Sequence, residues 1–224
     1  MENNPHTFNV ELKASAQLPY LLALPDDYND SEKTYPVMLF LHGMGERGND
    51  LVAVRTHGPP KHIDAGESLP FIVISPQCPL DSWWDFHLDA LLHLLDHIIA
   101  NYRVDQARVY LTGLSMGGFG TWSLASQHPD RFAAIAPICG GMMHWLEAEM
   151  RIKALKAMPI WTFHGEADSV VPVAATQQIV DVLKALGSDV NFTMYPGVDH
   201  DSWTATYANP ELYRWFLNHT RKIK

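Results

Sequence analysis

Three stretches of this sequence carry side chains that could together attack a carbonyl carbon. They are a serine in "GLSMG" (113–117), acids in "FHGEADSVVP" (163–172) and a histidine in "PGVDHDSW" (196–203). A serine hydroxyl is a poor nucleophile at neutral pH and needs a base, itself oriented by a third group. G-x-S-x-G is the pattern that sets such a serine on a sharp strand-to-helix turn. Here "VYLTG" supplies the strand and "SMGGFGTWSLASQHP" the helix, which must end before Pro129. Gly117, Gly118 and Gly120 weaken that helix by about 1 kcal/mol each relative to alanine, a cost that suggests close backbone approach. Ser115 is the candidate nucleophile, Asp168 the acid and His200 the base. Asp168 is favoured over Glu166 because it lies deeper in its loop and precedes "SVVP", which can fold back onto the sheet. Asp199 and Asp201 flank the histidine, but adjacent residues rarely orient a ring from their own turn; they can still modulate its charge.

A second pattern competes. In "LFLHGMGERGND" (39–50), Gly43, Gly45 and Gly48 spell G-x-G-x-x-G, the spacing that cradles a dinucleotide pyrophosphate. Chance supplies either pattern in roughly one chain in twenty of this composition, so context must choose. The nucleotide reading needs a helix at the third glycine and an acid closing the next strand. Pro59 and Pro60 follow instead, with only a brief helical stretch at Leu51 to Arg55, and the next strand closes on Ser75, Pro76 and Gln77. Glu46 would also set a negative charge inside the phosphate loop. The nucleophile reading accommodates both patterns. An acyl-transfer site needs two N–H groups for a developing oxyanion. The residue after the nucleophile, Met116, supplies one, and an H-G loop after an earlier strand supplies the other, at Met44.

Elements to position these groups are legible in the pattern of apolar residues. "VMLFL" (37–41), "FIVIS" (71–75), "VYLT" (109–112), "FAAIAPI" (132–138) and "IWTFH" (160–164) are apolar runs of the kind buried on both faces of a parallel sheet. "VNFTMY" (190–195) reads as an edge strand, and Phe8 to Lys13 and Pro19 to Leu24 as two early strands. Helices are predicted over Trp84 to Tyr102, after Ser115, over Thr176 to Leu186 and over Pro210 to Thr220. The alternation implies an α/β fold with a mostly parallel central sheet and helices on both faces. The 224 residues fit one domain, 1–224.

At this point the sequence resembles the α/β-hydrolase superfamily. "YPVMLFLHGMGERGND", "SPQCP", "VYLTGLSMGGFGTW", "IAPICGG", "FHGEADSVVPV" and "DHDSWTATYANPELYRWFL" together resemble its compact bacterial serine esterases, the phospholipase/carboxylesterase and dienelactone-hydrolase-like branch near feruloyl esterases. The resemblance implies Ser115, Asp168 and His200 as triad, the Met44 and Met116 amides as oxyanion donors, and no cofactor or metal. It implies hydrolysis of short or soluble carboxylic esters, with thioesters, lactones, amides or phospholipids as other substrates of the same triad and a non-catalytic binding protein as the rival reading. Residues 139–159 leave no room for a large lid. The strand order of the family separates the strands before Cys78 and Cys139 by three lateral steps, about 14 Å, beyond disulfide reach, so both are expected as free thiols. Trp83, Trp122 and Trp203 lie near the site loops in sequence and are candidate substrate-binding residues.

Composition narrows the partners. A net charge of −9 with scattered Lys and Arg argues against nucleic acid and anionic membranes and leaves a small-molecule ester. Arg47, Arg55 and Lys61 read as a solvated loop. His93 and His97, near Asp89 and Asp96, read as the polar face of a helix rather than a metal site. No apolar run approaches a membrane span, and "MENNPHTFNV" has no leader pattern. The expectation is a cytoplasmic protein, although a secreted form without its leader would read the same. Oligomeric state is not encoded in these patterns.

Overall fold

The computed structural model describes residues 17–30, 32–143 and 145–223; the strand expected at Phe8 to Lys13 lies outside them. In chain order the strands are β1 (Tyr20–Ala23), β2 (Tyr35–Leu41), β3 (Ile72–Pro76), β4 (Val104–Leu114), β5 (Ala134–Ile138), β6 (Ile160–Gly165) and β7 (Val190–Tyr195). The α-helices are α1 (Gly58–Asp64), α2 (Leu88–Asn101), α3 (Met116–Gln127), α4 (Trp145–Ala154), α5 (Ala174–Ala185), α6 (Trp203–Tyr207) and α7 (Pro210–Leu217). One seven-stranded sheet runs β1-β3-β2-β4-β5-β6-β7, antiparallel only at β1–β3. This is the α/β-hydrolase fold, with helices on both faces.

β2 shows why the central strands are apolar at every position. Val37, Leu39 and Leu41 enter the core cluster that holds Leu91, Leu95 and Ile98 of α2, Leu124 of α3 and Leu183 of α5. Met38 and Phe40 point the other way, into a cluster with Leu212 and Phe216 of α7. Successive strand residues face opposite sides, so burial of both faces demands an unbroken apolar run.

Three helical features depart from the sequence reading. α1 begins at "GPP", where two prolines were read as loop; both sit in its first turn, where their fixed φ and missing N–H cost nothing. α4 has a weak amphipathic signal, with Ala148 and Ile152 buried and Glu149 and Met150 exposed beside them. α6 has only five residues, too short to show a period.

β3 and β5 are three lateral steps apart, and Cys78 and Cys139, which follow them, are both free and buried. Desolvation pushes their thiols up to about 11 and about 12. A disulfide-exchange reagent should therefore titrate two thiols in denaturant and neither, on the same timescale, in the native protein.

Candidate active site

The site lies where β2, β4, β6 and β7 end. β4 delivers Ser115 at φ 52° and ψ −117°, a conformation rare for any residue but glycine, and α3 starts at the next residue. The turn is held because α3 presses onto the neighbouring strands: a Cβ on Gly117 would lie 1.9 Å from the carbonyl oxygen of Leu41. The Ser115 amide donates to the Ile138 carbonyl at 3.0 Å, tying the turn to β5 as well.

His200, in the loop after β7, reaches both partners. Its Nδ1 lies 2.7 Å from Asp168 Oδ2 and its Nε2 2.9 Å from Ser115 Oγ. A carboxylate only accepts, so Nδ1 carries the hydrogen and Nε2 is left to receive the serine proton. The Asp168 side chain has no solvent exposure and His200 has 17%. Asp168 Oδ1 accepts the amides of Val170 and Val171 at 2.9 and 2.8 Å. The neighbouring acids are engaged elsewhere. Glu166 accepts from the Gly197 amide. Asp199 accepts from the amide and hydroxyl of Ser169 and the amide of His200, and the Ser169 bonds hold its carboxyl below the usual range. Cys139 also approaches, its sulfur within 4.8 Å of donor atoms of Asp168 and His200. Asp168 itself is engaged by Val170, Val171, His200 and His164.

The loop after β2 is fastened from several sides. His42 has no exposure; its Nε2 accepts the Cys78 amide at 3.0 Å, so Nδ1 donates to the Gly43 carbonyl. The Trp84 indole donates to the His42 carbonyl. Burial pushes His42 down to about 4, so it works as a neutral clamp. Gly43 donates its amide to Glu46 Oε2 at 2.8 Å. Met44 starts a short 3-10 turn (Met44–Glu46), as Met116 starts α3; amides in such first positions have no acceptor within their own helix. The Met44 side chain is exposed and that of Met116 buried. Arg47 is part of this fastening rather than solvated loop, donating to the Met44 and Ser82 carbonyls. Gly48, the third glycine of the G-x-G-x-x-G pattern, sits at φ 142° and donates its amide to the Cys78 carbonyl.

Glu46 also joins the two sides of the site. Burial raises its carboxyl above the ordinary range, while nearby His57 and the Gly43 amide pull it down. His57 Nε2 lies 3.8 Å from Glu46 Oε1, and its Nδ1 accepts the Trp203 indole N–H at 3.3 Å. Trp203 meets the His200 ring edge-on at 5.1 Å.

Of the three tryptophans singled out in the sequence, Trp203 is therefore beside His200. Trp83 is half-buried and packs against the core. Trp122 is corrected: it is fully buried in the core and unavailable to substrate, because α3 is enclosed along nearly its whole length. The sequence reading assigns no site role to Glu46, His57 or Trp84; Glu46 enters it only as a charge unsuited to a phosphate loop, and Trp84 has the signal of its place beside Trp83.

The fold and this constellation define the class, an α/β-hydrolase. Residues 84–211 match the Dienelactone hydrolase family, and the chain belongs to it. It is 31% identical over 185 residues to the bifunctional acetylxylan esterase/xylanase XynS20E of Neocallimastix patriciarum, covering 80% of this chain and 26% of that one. With the probable feruloyl esterase C of Aspergillus terreus (strain NIH 2624 / FGSC A1156) it shares 27% identity, over 69% of this chain and 56% of the other. The crystal structure of a thermostable esterase superposes with a TM-score of 0.78 at 35% identity, covering 91% of this chain and 60% of that chain. The chain thus spans between about a quarter and somewhat more than half of these relatives' lengths. Among the described residues no helix is long and apolar enough to cross a membrane.

The clamp at His42 has a pH signature. An unfolded histidine takes its proton near 6.5, while the folded protein resists until about 4. Between these values only the unfolded state binds that proton. This contribution is therefore complete above about pH 6.5 and falls with pH by ~1.4 kcal/mol per unit, levelling below about pH 4. Urea unfolding should give about 2 kcal/mol less stability at pH 5 than at pH 7 from this group, and His42→Asn should shrink the difference.

Proposed function

We propose that the chain acts as a single catalytic domain that hydrolyses carboxylic esters through an acyl-serine. The observation that carries this is the unbroken hydrogen-bond line Ser115 Oγ–His200 Nε2, His200 Nδ1–Asp168 Oδ2, at 2.9 and 2.7 Å. His200 takes the Ser115 proton as Oγ bonds to the carbonyl carbon, and the carbonyl electron pair moves onto oxygen. The Met44 and Met116 amides receive that oxyanion. Collapse breaks the bond to the leaving alkoxide, which takes the proton from His200. Water then attacks the acyl-serine in the same way and releases the acid. The buried Asp168 holds the His200 ring in its tautomer and offsets the charge that His200 gains.

The segment between β5 and β6 contains α4 and is short, which favours soluble esters with small acyl groups over long triglycerides. The names of the relatives, an acetylxylan esterase and a feruloyl esterase, favour the same class. Trp203, beside His200 and half-buried, is positioned to line the path of the acyl or alcohol group.

Ser115→Ala should lower turnover of p-nitrophenyl acetate by about 10⁴-fold or more with the far-ultraviolet circular dichroism unchanged. A fluorophosphonate should label the parent protein at Ser115 and leave the variant unlabelled. Substantial remaining turnover sinks the mechanism; no labelling and no turnover by the parent protein favours a non-catalytic binder. Glu46→Ala strands the Gly43 amide, and misplacing the Met44 donor should lower kcat about tenfold with a smaller change in KM. An unchanged kcat would remove Glu46 from the positioning of that loop.

A further inference from the structure

A second histidine stands behind the acid. His164, on β6, has no solvent exposure, and its Nε2 lies 3.2 Å from Asp168 Oδ2, the same oxygen that accepts from His200. That nitrogen is also 2.8 Å from the Val171 carbonyl oxygen. On the other side of the ring, Nδ1 is 2.8 Å from Thr176 Oγ1. The Thr176 hydroxyl is in turn 2.6 Å from the Gly140 carbonyl oxygen.

The hydrogens in this chain can be assigned by counting. Neither the Val171 carbonyl nor the Asp168 carboxylate carries one, so the hydrogen facing them is on Nε2. Thr176 has a single hydroxyl hydrogen, and the short contact to the Gly140 carbonyl requires it there. The hydrogen between Nδ1 and Thr176 Oγ1 must then come from Nδ1. A neutral ring would leave two lone pairs facing each other across a contact of 2.6 or 2.8 Å.

We infer that His164 is a buried imidazolium that shares the Asp168 charge with His200, a positioning residue that weakens the carboxylate's hold on the His200 proton. Burial is the largest influence and, with the nearby His200, lowers the proton affinity of His164 on balance, against the Val171 carbonyl and the Asp168 carboxylate that raise it. The charge rests instead on the hydrogen count, with the Thr176 hydrogen committed to Gly140. The groups facing the pair come from every packed element. His164 faces Asp168 and Val171 in the loop after β6, Thr176 on α5, Gly140 after β5 and His200 after β7. His200 faces Ser115, Asp168, Trp203, Cys139 and Asp199. Of these, Asp199 is taken up by Ser169 and the Cys139 thiol is neutral, pushed up to about 12. Asp201, the other neighbour of His200, is taken up by Thr204. One carboxylate thus serves two imidazole rings. With His164 charged, the single Asp168 charge is divided between two rings, and His200 receives less of it than beside an unshared carboxylate.

The protonation state stands on geometry alone; only its kinetic consequence rests on the proposed roles of Ser115, Asp168 and His200. Nitrogen-15 NMR of the intact protein, labelled in histidine, tests the state without turnover. Both ring nitrogens of His164 should show protonated-type resonances that stay constant from about pH 6 to about pH 8. One unprotonated ring nitrogen at pH 8 overturns the inference. The second arm is the pH profile of His164→Gln on p-nitrophenyl acetate. Removing the shared charge should move the acid limb of kcat/KM upward by about one pH unit, a change that loss of packing alone does not produce. A folded variant whose limb stays in place overturns the electrostatic role. Should the variant fail to fold, the NMR of the parent protein still decides the charge. Should the parent protein lack esterase activity, the proposed function fails and the imidazolium is judged separately.

Discussion

The first turn of α3 touches the end of β2 backbone to backbone, with no room for a side chain between Gly117 and the Leu41 carbonyl. That contact does two things at once. It pins the turn that holds Ser115 at a positive φ, so the hydroxyl projects beyond the sheet. It also brings the residues that follow Leu41, from His42 to Met44, alongside the same helix start. The candidate nucleophile and oxyanion loop are therefore placed by one close approach. A helix N-terminus there adds favourable dipole to whatever negative charge forms.

The electrostatics around this contact are arranged by burial and by hydrogen-bond partners together. His42 is kept neutral by burial and serves as a donor–acceptor bridge between the loops after β2 and β3. Glu46 accepts from the Gly43 amide and faces His57, which passes the connection through Trp203 to the ring of His200. On the far side, Asp168 is held by two amides and lies between two histidines. Each half of the site thus has a buried acid with a dedicated backbone donor, and a half-exposed indole ties them together.

Much of the fold is legible in the sequence because two-sided burial leaves a strong trace. β2 and β5 are unbroken apolar runs, β3 and β6 are apolar but for Ser75, Thr162 and His164, and α2 repeats Leu88, Leu91, Leu95 and Ile98 on its inner face. Ser115, Asp168 and His200 are legible for a related reason: each follows a strand, and strand ends on one edge of a parallel sheet share a neighbourhood. Where the trace is faint, the reading fails. α4 and α6 are short or weakly amphipathic, and the prolines of α1 suit a first turn as well as a loop. Trp122 lies two residues past Gly120, the last glycine of the first turns of α3, yet α3 carries it into the core.

By itself the sequence determined the alternation of strands and helices, the strained serine turn, and which loops gather at the carboxyl edge. These follow from local chemistry: periodicity, glycine and proline placement, and chain order. Only the tertiary structure decided which of several acids and histidines meet. Glu46 and Gly43, His57 and Trp203, and His164 and Asp168 are joined by hydrogen bonds or close contacts that depend on directions and separations of a few ångströms between side chains. Residue type and spacing along the chain do not specify those directions; the lateral order of the strands and the packing of α3 and α5 against them do.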